Sequence, residues 1–296
     1  MRITELTKRH SFVRLVEFFP PSVPAEPRAG EPAVDLRARV QSLIEKARRV
    51  ESASDAVIIA QPKDTSRYHL PSLPSAVEVK RSTGIEAIPT IPLRDYNRNA
   101  LRGLVLYGLY AGLENFCIVR GDPFLPEEAG YSRNAFDLRR VSDAAGLVKG
   151  VANTVHNEGV CVLGPLDISG RLDEEYIEVV REREERGVDV FICQPFFGSV
   201  EEVLERVDRL RAAHVTRPII HNVFPLRSEE DAIRMERKFG WQVSPQVKEV
   251  LREGGLQAGL RLARDRYYSF LDNRGEVDGV YISSRGHADW AVAILT

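Results

Sequence analysis

The feature of this sequence that most constrains its fold is a regular alternation between short apolar runs and amphipathic stretches. Each run has the length of a strand, and most runs are rich in Val and Ile. Continuous apolar runs are typical of parallel strands that are buried on both faces. The runs are Val13–Phe19, Ala56–Ala60, Glu86–Pro92, Asn115–Arg120, Val160–Gly164, Val188–Cys193, Pro218–Phe224 and Val277–Ser283.

The stretches between the runs carry apolar residues at helical spacing. Ser199 and Ser228 precede two of these stretches, with acidic residues in the first turn that are typical of a helix start. Eight strands that alternate with helices predict an α/β fold, a closed (β/α)8 TIM barrel. An open doubly wound sheet is the rival, but it usually has fewer strands, and no Gly-x-Gly-x-x-Gly follows any predicted strand.

Chain length and composition agree with one barrel. The 296 residues, 43% of them hydrophobic, are typical of a single closed β/α barrel, so we predict one domain over residues 1–296. Two helical pieces, at 244–253 and 256–272, lie between the seventh and eighth strands and are predicted to be an insertion. The Pro-rich loop Pro20–Pro32 follows the first strand, on the face where such barrels place their sites.

Charge and cysteine content argue against several classes of function. A formal net charge of −2 gives no reason to expect nucleic acid or an anionic membrane as a partner. The apolar runs are too short to span a bilayer, and Met1–Ser11 lacks the apolar core of a signal peptide. Cys117, Cys161 and Cys193 are widely spaced in apolar runs, which predicts buried free thiols in a reducing cytosol. We therefore expect a cytoplasmic protein.

Polar residues at the carboxyl ends of the predicted strands are the candidates for chemistry, because barrel enzymes place their active sites there. Glu17 is the most informative, since it lies inside an apolar strand between Val16 and Phe18. Burial would raise the pKa of its carboxyl, as a general acid near neutral pH requires. A structural glutamate paired with a barrel arginine is an equal alternative.

Three further candidates lie at other strand ends. Asp122 follows Gly121 and precedes a proline, and Arg120 lies two residues earlier. An Arg–Asp pair at a barrel mouth would bind a heterocycle or a phosphate, or would form a salt bridge. Gln194 has an amide that suits the edge of a planar ring, or it is a satisfied polar barrel residue.

The histidines do not occur at ligand spacing, so no metal site is expected. His221, on the seventh strand, is the one that we place near the barrel mouth, although a role in the core is favoured.

Three segments in order resemble motifs of the methylenetetrahydrofolate reductase family. Val16–Pro21 is similar to the family's opening Phe-Glu-Phe-Phe-Pro-Pro, Ile118–Pro123 to its Leu-Arg-Gly-Asp-Pro strand, and Ile192–Phe197 to its Ile-Thr-Gln-Phe-Phe-Phe strand. A fourth segment, Arg94–Leu101, resembles the Arg-Asp-Arg-Asn version found in members fused to homocysteine methyltransferases. The motifs are distributed over most of the chain.

The resemblance implies reduction of 5,10-methylene-tetrahydrofolate, or a related pterin that carries one carbon, to the 5-methyl form in methionine biosynthesis. Glu17 would be the general acid, Asp122 would stabilise the cation formed from the substrate, and Gln194 and Phe196 would bind the pterin. The implied cofactors are FAD and, as electron donor, NAD(P)H. The positions expected to contact the cofactor are Arg120, Gly121, Thr90, Ala60 and Arg183.

Part of the flavin-binding pattern of the family is replaced. Ala60 stands where the family has a threonine, Thr90 where it has a histidine, Leu163–Asp167 where it has Tyr-Pro-Glu-x-His, and Arg183 where it has a lysine. Three options follow: FAD held by other contacts, hydride passed directly from a nicotinamide, or an electron-carrying partner subunit. A homo-oligomer is also compatible with the sequence.

Two functions of other classes remain as alternatives. One is a barrel that binds folate or a methyl-transfer partner without redox chemistry. The other is an unrelated lyase or aldolase that forms a Schiff base, which needs a strand lysine. Lys63, just past the second strand, is the one candidate for that lysine.

Overall fold

A computed structural model describes residues 1–10, 12–26, 33–62, 66–122, 138, 140–157 and 159–296. Pro123, Lys63 and the second half of the Pro-rich loop, at 27–32, lie outside the described residues. The predicted barrel is confirmed, since eight parallel strands close into a ring in which each pairs with its neighbours in chain order and the first pairs with the last. Strands β1 to β8 are Val13–Phe18, Ala56–Ile59, Glu86–Pro92, Asn115–Val119, Cys161–Leu166, Val190–Cys193, Ile219–Val223 and Gly279–Ile282.

Helices surround the barrel and follow the strands along the chain. Ser199 and Ser228 cap α7 and α8 through their side chains, as the sequence predicts. Helices α1 to α10 are Ile3–Arg9, Leu36–Val50, Ser72–Thr83, Arg98–Tyr110, Val141–Thr154, Glu174–Glu185, Val200–Ala212, Glu229–Phe239, Pro245–Asp272 and Ala288–Leu295.

Alternate side chains of each strand face the barrel interior or the helices. The interior cluster includes Val13 and Leu15 of β1 together with Ile88 of β3, whereas Val16 and Phe18 pack in the outer core. This alternation follows from the two-residue period of a strand. Glu17 therefore lies on the interior face of β1.

The amino end of the barrel is closed by α1 and by a network of charges. Ile3 and Leu6 of α1 are buried in the interior cluster. The buried Glu86 accepts hydrogen bonds from the amino group of Met1 at 2.9 Å, Lys80 Nζ at 2.8 Å and Asn115 Nδ2 at 2.9 Å. These contacts leave the opposite, carboxyl end as the open mouth of the barrel.

Two segments depart from the simplest expectation. Ser22–Pro24, in the Pro-rich loop, pairs antiparallel with Arg67–His69, so this part of the loop is a short strand beside the mouth. The two helical pieces predicted before the eighth strand form α9, which is broken at Gly255, where φ is 51°. Glycine accepts this backbone conformation at low cost. That α9 is an insertion remains a prediction.

None of the described helices combines the length and the apolar character that a membrane span requires.

Candidate functional site

Polar groups from several strands meet on the interior face at the mouth. The parallel ladder continues one residue beyond the end of three strands. The backbone amides that extend it, at 2.8–3.0 Å, are Ala60 to the Phe18 carbonyl, Gln194 to the Leu166 carbonyl and Ser283 to the Val223 carbonyl. The inward alternation therefore extends to these residues. The inward-facing set at this level, here called the mouth ring, comprises Glu17, Ala60, Thr90, Gln194, Asn222 and Ser283.

The Glu17 carboxyl is the titratable group of the mouth ring. Desolvation raises its pKa to about 7 from 4.5, although a hydrogen bond from Tyr281 and the charge of Arg285 act in the opposite direction. A carboxyl with a pKa near 7 is half protonated at neutral pH, which suits a general acid. The structure therefore has the electrostatic property that the sequence predicts for an acid at this position.

The alternative structural role for Glu17 requires a guanidinium partner. The Arg285 guanidinium is instead hydrogen-bonded to Asp231 Oδ2 at 2.6 Å. Asp231 is buried and also pairs with Arg227 and Arg234, so the Arg285 guanidinium belongs to an ion-pair cluster around Asp231. Within the described part of the chain, the Glu17 carboxylate accepts hydrogen bonds from the Tyr281 hydroxyl and the Arg285 backbone and forms no salt bridge.

Tyr281 is the residue of this site that the sequence analysis missed. Its hydroxyl donates a hydrogen bond to Glu17 Oε2, and the pKa of Tyr281 is raised well above 10 by desolvation and by the nearby Glu17 charge. Ser284 Oγ supports the same strand by donating to the Glu17 carbonyl at 2.6 Å. The sequence carried a signal for Tyr281 in the alternation of β8. Gly279, Tyr281 and Ser283 share the inward face of this strand, which places Tyr281 inside the barrel.

Asp122 lies on the rim of the mouth rather than in the mouth ring. It is exposed and follows Gly121, where φ is 85°, and its carbonyl accepts a hydrogen bond from Arg94 Nη1 at 3.4 Å. Asp122 lines a pocket of about 290 Å³, here called the mouth pocket, together with Phe19, Gln61, Arg94 and Val119. This volume is at the lower end of the roughly 300–1,000 Å³ that small-molecule sites occupy.

Gln194 and Phe196 differ in their surroundings. The Gln194 side chain is exposed at the end of β6, and no described group bonds to it. Phe196 is half-buried, and the Arg206 guanidinium lies 5.0 Å from its ring centroid. Asn222 of the mouth ring donates to Ser283 Oγ at 3.1 Å, and its buried Oδ1 has no hydrogen-bond partner among the described residues. Gln194 thus offers a free amide group, and Asn222 a free amide oxygen, to a polar ring.

The positions expected to hold FAD have their groups engaged elsewhere or lack polar groups. Ala60 has no hydroxyl, and the Arg183 guanidinium donates to the Pro165 carbonyl at 2.7 Å. The Thr90 hydroxyl is hydrogen-bonded with the buried Cys117, whose pKa burial raises to about 12. A Cβ on Gly121 would lie 2.9 Å from Arg94 Cγ, so this side chain occupies the space beside the glycine.

Arg120 is exposed and has no described side-chain partner. Of the five positions, Arg120 presents a free polar side chain and the other four do not, so the set does not form the flavin cradle that the family pattern implies.

The remaining sequence candidates lie away from the mouth. His221 is buried in the outer layer, where it stacks on Phe270 with ring centroids 5.2 Å apart, and desolvation lowers its pKa to about 3. Its favoured role in the core is confirmed, and its placement near the mouth is wrong, because odd residues of β7 face the helices. Cys117, Cys161 and Cys193 are buried and free, as predicted. The described residues contain no group of three or more His, Cys, Asp or Glu that would hold a metal ion.

The fold and this site define a class of protein: a TIM barrel with a protonatable carboxyl and free amide groups at its mouth. Residues 2–254 match the model of the family described as methylenetetrahydrofolate reductase. This match covers most of the chain, so the chain belongs to the methylenetetrahydrofolate reductase family.

Comparison by structure agrees with the fold. A solved structure of an uncharacterized protein from Clostridium thermocellum, described as binding two copies of 5-methyl-5,6,7,8-tetrahydrofolic acid, superposes with a TM-score of 0.69 at 13% identity. The match covers 100% of this chain and 98% of that one. At this identity the likeness concerns the fold alone. A sequence comparison with characterised proteins gave no significant match.

Proposed function

We propose that this protein reduces 5,10-methylene-tetrahydrofolate, or a related one-carbon pterin, to its 5-methyl form. The observation that carries the proposal is the Glu17 carboxyl, which faces the barrel mouth with a pKa of about 7 and a hydrogen bond from Tyr281. The family to which the chain belongs supplies the reaction class.

The reaction needs one proton and one hydride. Glu17 donates its proton to the bridging nitrogen of the substrate, the bond between this nitrogen and the methylene carbon breaks, and an iminium cation forms at the other nitrogen. A hydride then adds to the methylene carbon and produces the methyl group. The Tyr281 hydroxyl stabilises the carboxylate that Glu17 becomes, since it already donates to Oε2.

The other predicted residues act on the bound substrate. Asp122, which lines the mouth pocket, is assigned the stabilisation of the iminium charge. Gln194 binds the pterin edge through its free amide, and Asn222 adds a second amide on the adjacent strand. Phe196 supplies an apolar face next to Gln194.

Reduced nicotinamide, NADH or NADPH, is the proposed source of the hydride. Four of the five positions expected to contact FAD (Ala60, Thr90, Gly121 and Arg183) present no free polar side chain to a flavin, so no step of the proposed reaction passes through FAD. A hydride that passes directly from the dihydronicotinamide to the methylene carbon balances the reaction, since the nicotinamide is oxidised by two electrons and the iminium is reduced by two.

The test combines a spectrum with an assay. The purified protein is examined for visible flavin bands before and after addition of FAD, and then assayed for NADH and NADPH oxidation with 5,10-methylene-tetrahydrofolate. We expect no bound flavin and oxidation that depends on the folate, with 5-methyl-tetrahydrofolate identified by mass. Activity that appears only with bound FAD, or only with an added electron-carrying protein, would replace the direct transfer by one of those routes.

A second candidate function is binding of a folate without redox chemistry. The observation that favours it is the structural neighbour of the same fold that is described as binding 5-methyl-5,6,7,8-tetrahydrofolic acid. In that case the protein would bind 5-methyl-tetrahydrofolate tightly and would oxidise neither nicotinamide, with FAD or without it.

A further inference from the structure

A second cavity, of about 220 Å³, lies beside the mouth pocket between α2 and the loop that follows β8. We call it the basic pocket. Its cationic lining consists of Arg39 and Lys46 from α2 and of Arg285 from the loop, and Pro20, Ser22 and His287 complete part of its wall.

Two of these cations lack an anionic partner. Arg39, Ser42, Leu43 and Lys46 all line the pocket at helical spacing, so they share one face of α2. Within the described part of the chain, neither the Arg39 nor the Lys46 side chain forms a hydrogen bond or ion pair. Desolvation lowers the pKa of Lys46, and the positive charge of Arg39 lowers it further. Two like charges that face one cavity repel each other unless an anion lies between them.

The opposite wall adds positive potential. The pKa of His287 is lowered by desolvation and then by the charges of Lys46 and Arg285, which indicates that these cations are directed to the same region. Helix α10 begins directly after His287 and has no side-chain cap at that residue. The amino end of a helix carries a partial positive charge and backbone N–H groups that favour anions.

The carboxylates close to the basic pocket are engaged elsewhere. Asp231 pairs with Arg285, Arg227 and Arg234, and Asp289, in the first turn of α10, pairs with Arg49. No Asp or Glu is among the described residues that line the pocket. The lining therefore has excess positive charge and room for an oxyanion.

The basic pocket adjoins the mouth pocket. Phe19 lines both cavities, so a molecule whose ring lies in the mouth pocket passes this side chain to reach Arg39 and Lys46. We propose that the basic pocket binds an oxyanion, a carboxylate or a phosphate, and that in the bound substrate this group belongs to the acidic tail of the pterin. The assignment of the tail rests on the proposed function, whereas the oxyanion site rests on the pocket itself.

The experiment measures dissociation constants by calorimetry, without any turnover. The ligands are tetrahydropteroate, which lacks glutamate, tetrahydrofolate with one glutamate and with three, and inorganic phosphate. The proteins are the wild type, the double variant Arg39→Gln/Lys46→Gln, and Arg37→Gln as a matched control. Arg37 is exposed on the same helix and does not line the pocket.

We expect the double variant to lose about tenfold or more in affinity for the glutamylated ligands, the effect of a lost charge-assisted contact. Its affinity for tetrahydropteroate, and every affinity of Arg37→Gln, should match the wild type. A different result is that the wild type binds phosphate and the double variant does not, while the glutamate tail changes the affinity of neither protein. That result would support the oxyanion site and would assign it to a free phosphate. Equal affinities of wild type and double variant for all four ligands would overturn the proposal. If the wild type binds no pterin at all, the proposed function fails, and the phosphate measurement alone decides on the pocket.

Discussion

The two sides of the barrel mouth differ in how their polar groups are used. On the side of β1, β7 and β8, Glu17 retains a titratable carboxyl, and Asn222 retains an unpartnered amide oxygen. On the side of β2 to β5, Thr90 and Arg183 are bonded to neighbours within the fold, and Ala60 is apolar. The first side thus keeps a polar group without a partner, whereas these three positions of the second side do not.

The two sides therefore differ in which polar groups are left without a partner. A buried polar group that already has its partners contributes to stability, whereas one left free at a mouth is available to a substrate. The comparison therefore predicts that substitutions of Glu17 and its partners change rates and pH dependence, and that substitution of Arg183 on the second side changes stability only.

The largest effect is expected from Glu17→Gln. This variant removes the proton donor and should lower the reduction rate by about 10² to 10⁴, the usual contribution of general acid catalysis, while 5-methyl-tetrahydrofolate still binds. Steady-state rates and folate affinity measured side by side test this. Glu86→Gln, the same change at the closed end of the barrel, is the control and should retain the rate. If the reduction rate and the folate affinity of Glu17→Gln fall by the same factor, Glu17 is not the general acid.

Asp122→Asn should lower the rate by about 10² to 10³ with a small change in KM, because it removes a charge that acts on the cationic intermediate. Asp122 is exposed on the rim, so the fold should be unaffected, and an unchanged unfolding curve is the control. A rate equal to that of the wild type would make Asp122 a turn residue only.

The Glu17 carboxyl should make the stability of the protein depend on pH. Because the folded-state pKa of Glu17, about 7, exceeds its ordinary value of 4.5, the native state binds an extra proton between these values and loses stability as pH rises. Relative to the wild type, Glu17→Gln should gain up to about 3 kcal/mol at pH 8 and nothing at pH 4.

Glu86→Gln, the same change at the closed end of the barrel, should lose about 3 kcal/mol, since it removes the buried carboxylate that pairs with the Met1 amino group and Lys80. Urea unfolding of both variants at the two pH values gives the comparison. A loss of stability in Glu17→Gln at pH 8 would mean that Glu17 is a structural carboxylate.

Tyr281→Phe should move the alkaline limb of the pH–rate profile upward by about one pH unit. The Tyr281 hydroxyl stabilises the charged form of Glu17, so its removal raises the pKa of that carboxyl further. Tyr176→Phe is the matched control, because its hydroxyl bonds to the Asp167 amide on the other side of the mouth. If the alkaline limb does not move in Tyr281→Phe, this limb does not report the titration of Glu17.

The smallest effect is expected from Arg183→Gln. The variant loses one hydrogen bond to the Pro165 carbonyl and should be less stable by about 1 kcal/mol, with a rate within about twofold of the wild type. A fall in rate that FAD restores would contradict the comparison and would place a cofactor on the second side.

Much of the fold could be predicted because its signals are local. The Val- and Ile-rich runs determine the strands, and the caps Ser199 and Ser228 determine where two helices begin. The position of Glu17 inside an apolar strand was sufficient to identify it as a candidate. Tyr281 was missed because its importance depends on the closure of β8 against β1, which joins residues 264 positions apart in the chain.

The sequence by itself determined the β/α barrel, the family and the inward position of Glu17, since these follow from periodicity and from short motifs. The tertiary structure decided which polar groups remain available. It pairs Arg285 with Asp231 instead of Glu17, directs Arg183 to a backbone carbonyl, and leaves Arg39 and Lys46 facing a cavity. Partner choice among distant charged groups depends on distance and desolvation in the closed barrel, and neither is a property of a local stretch of sequence.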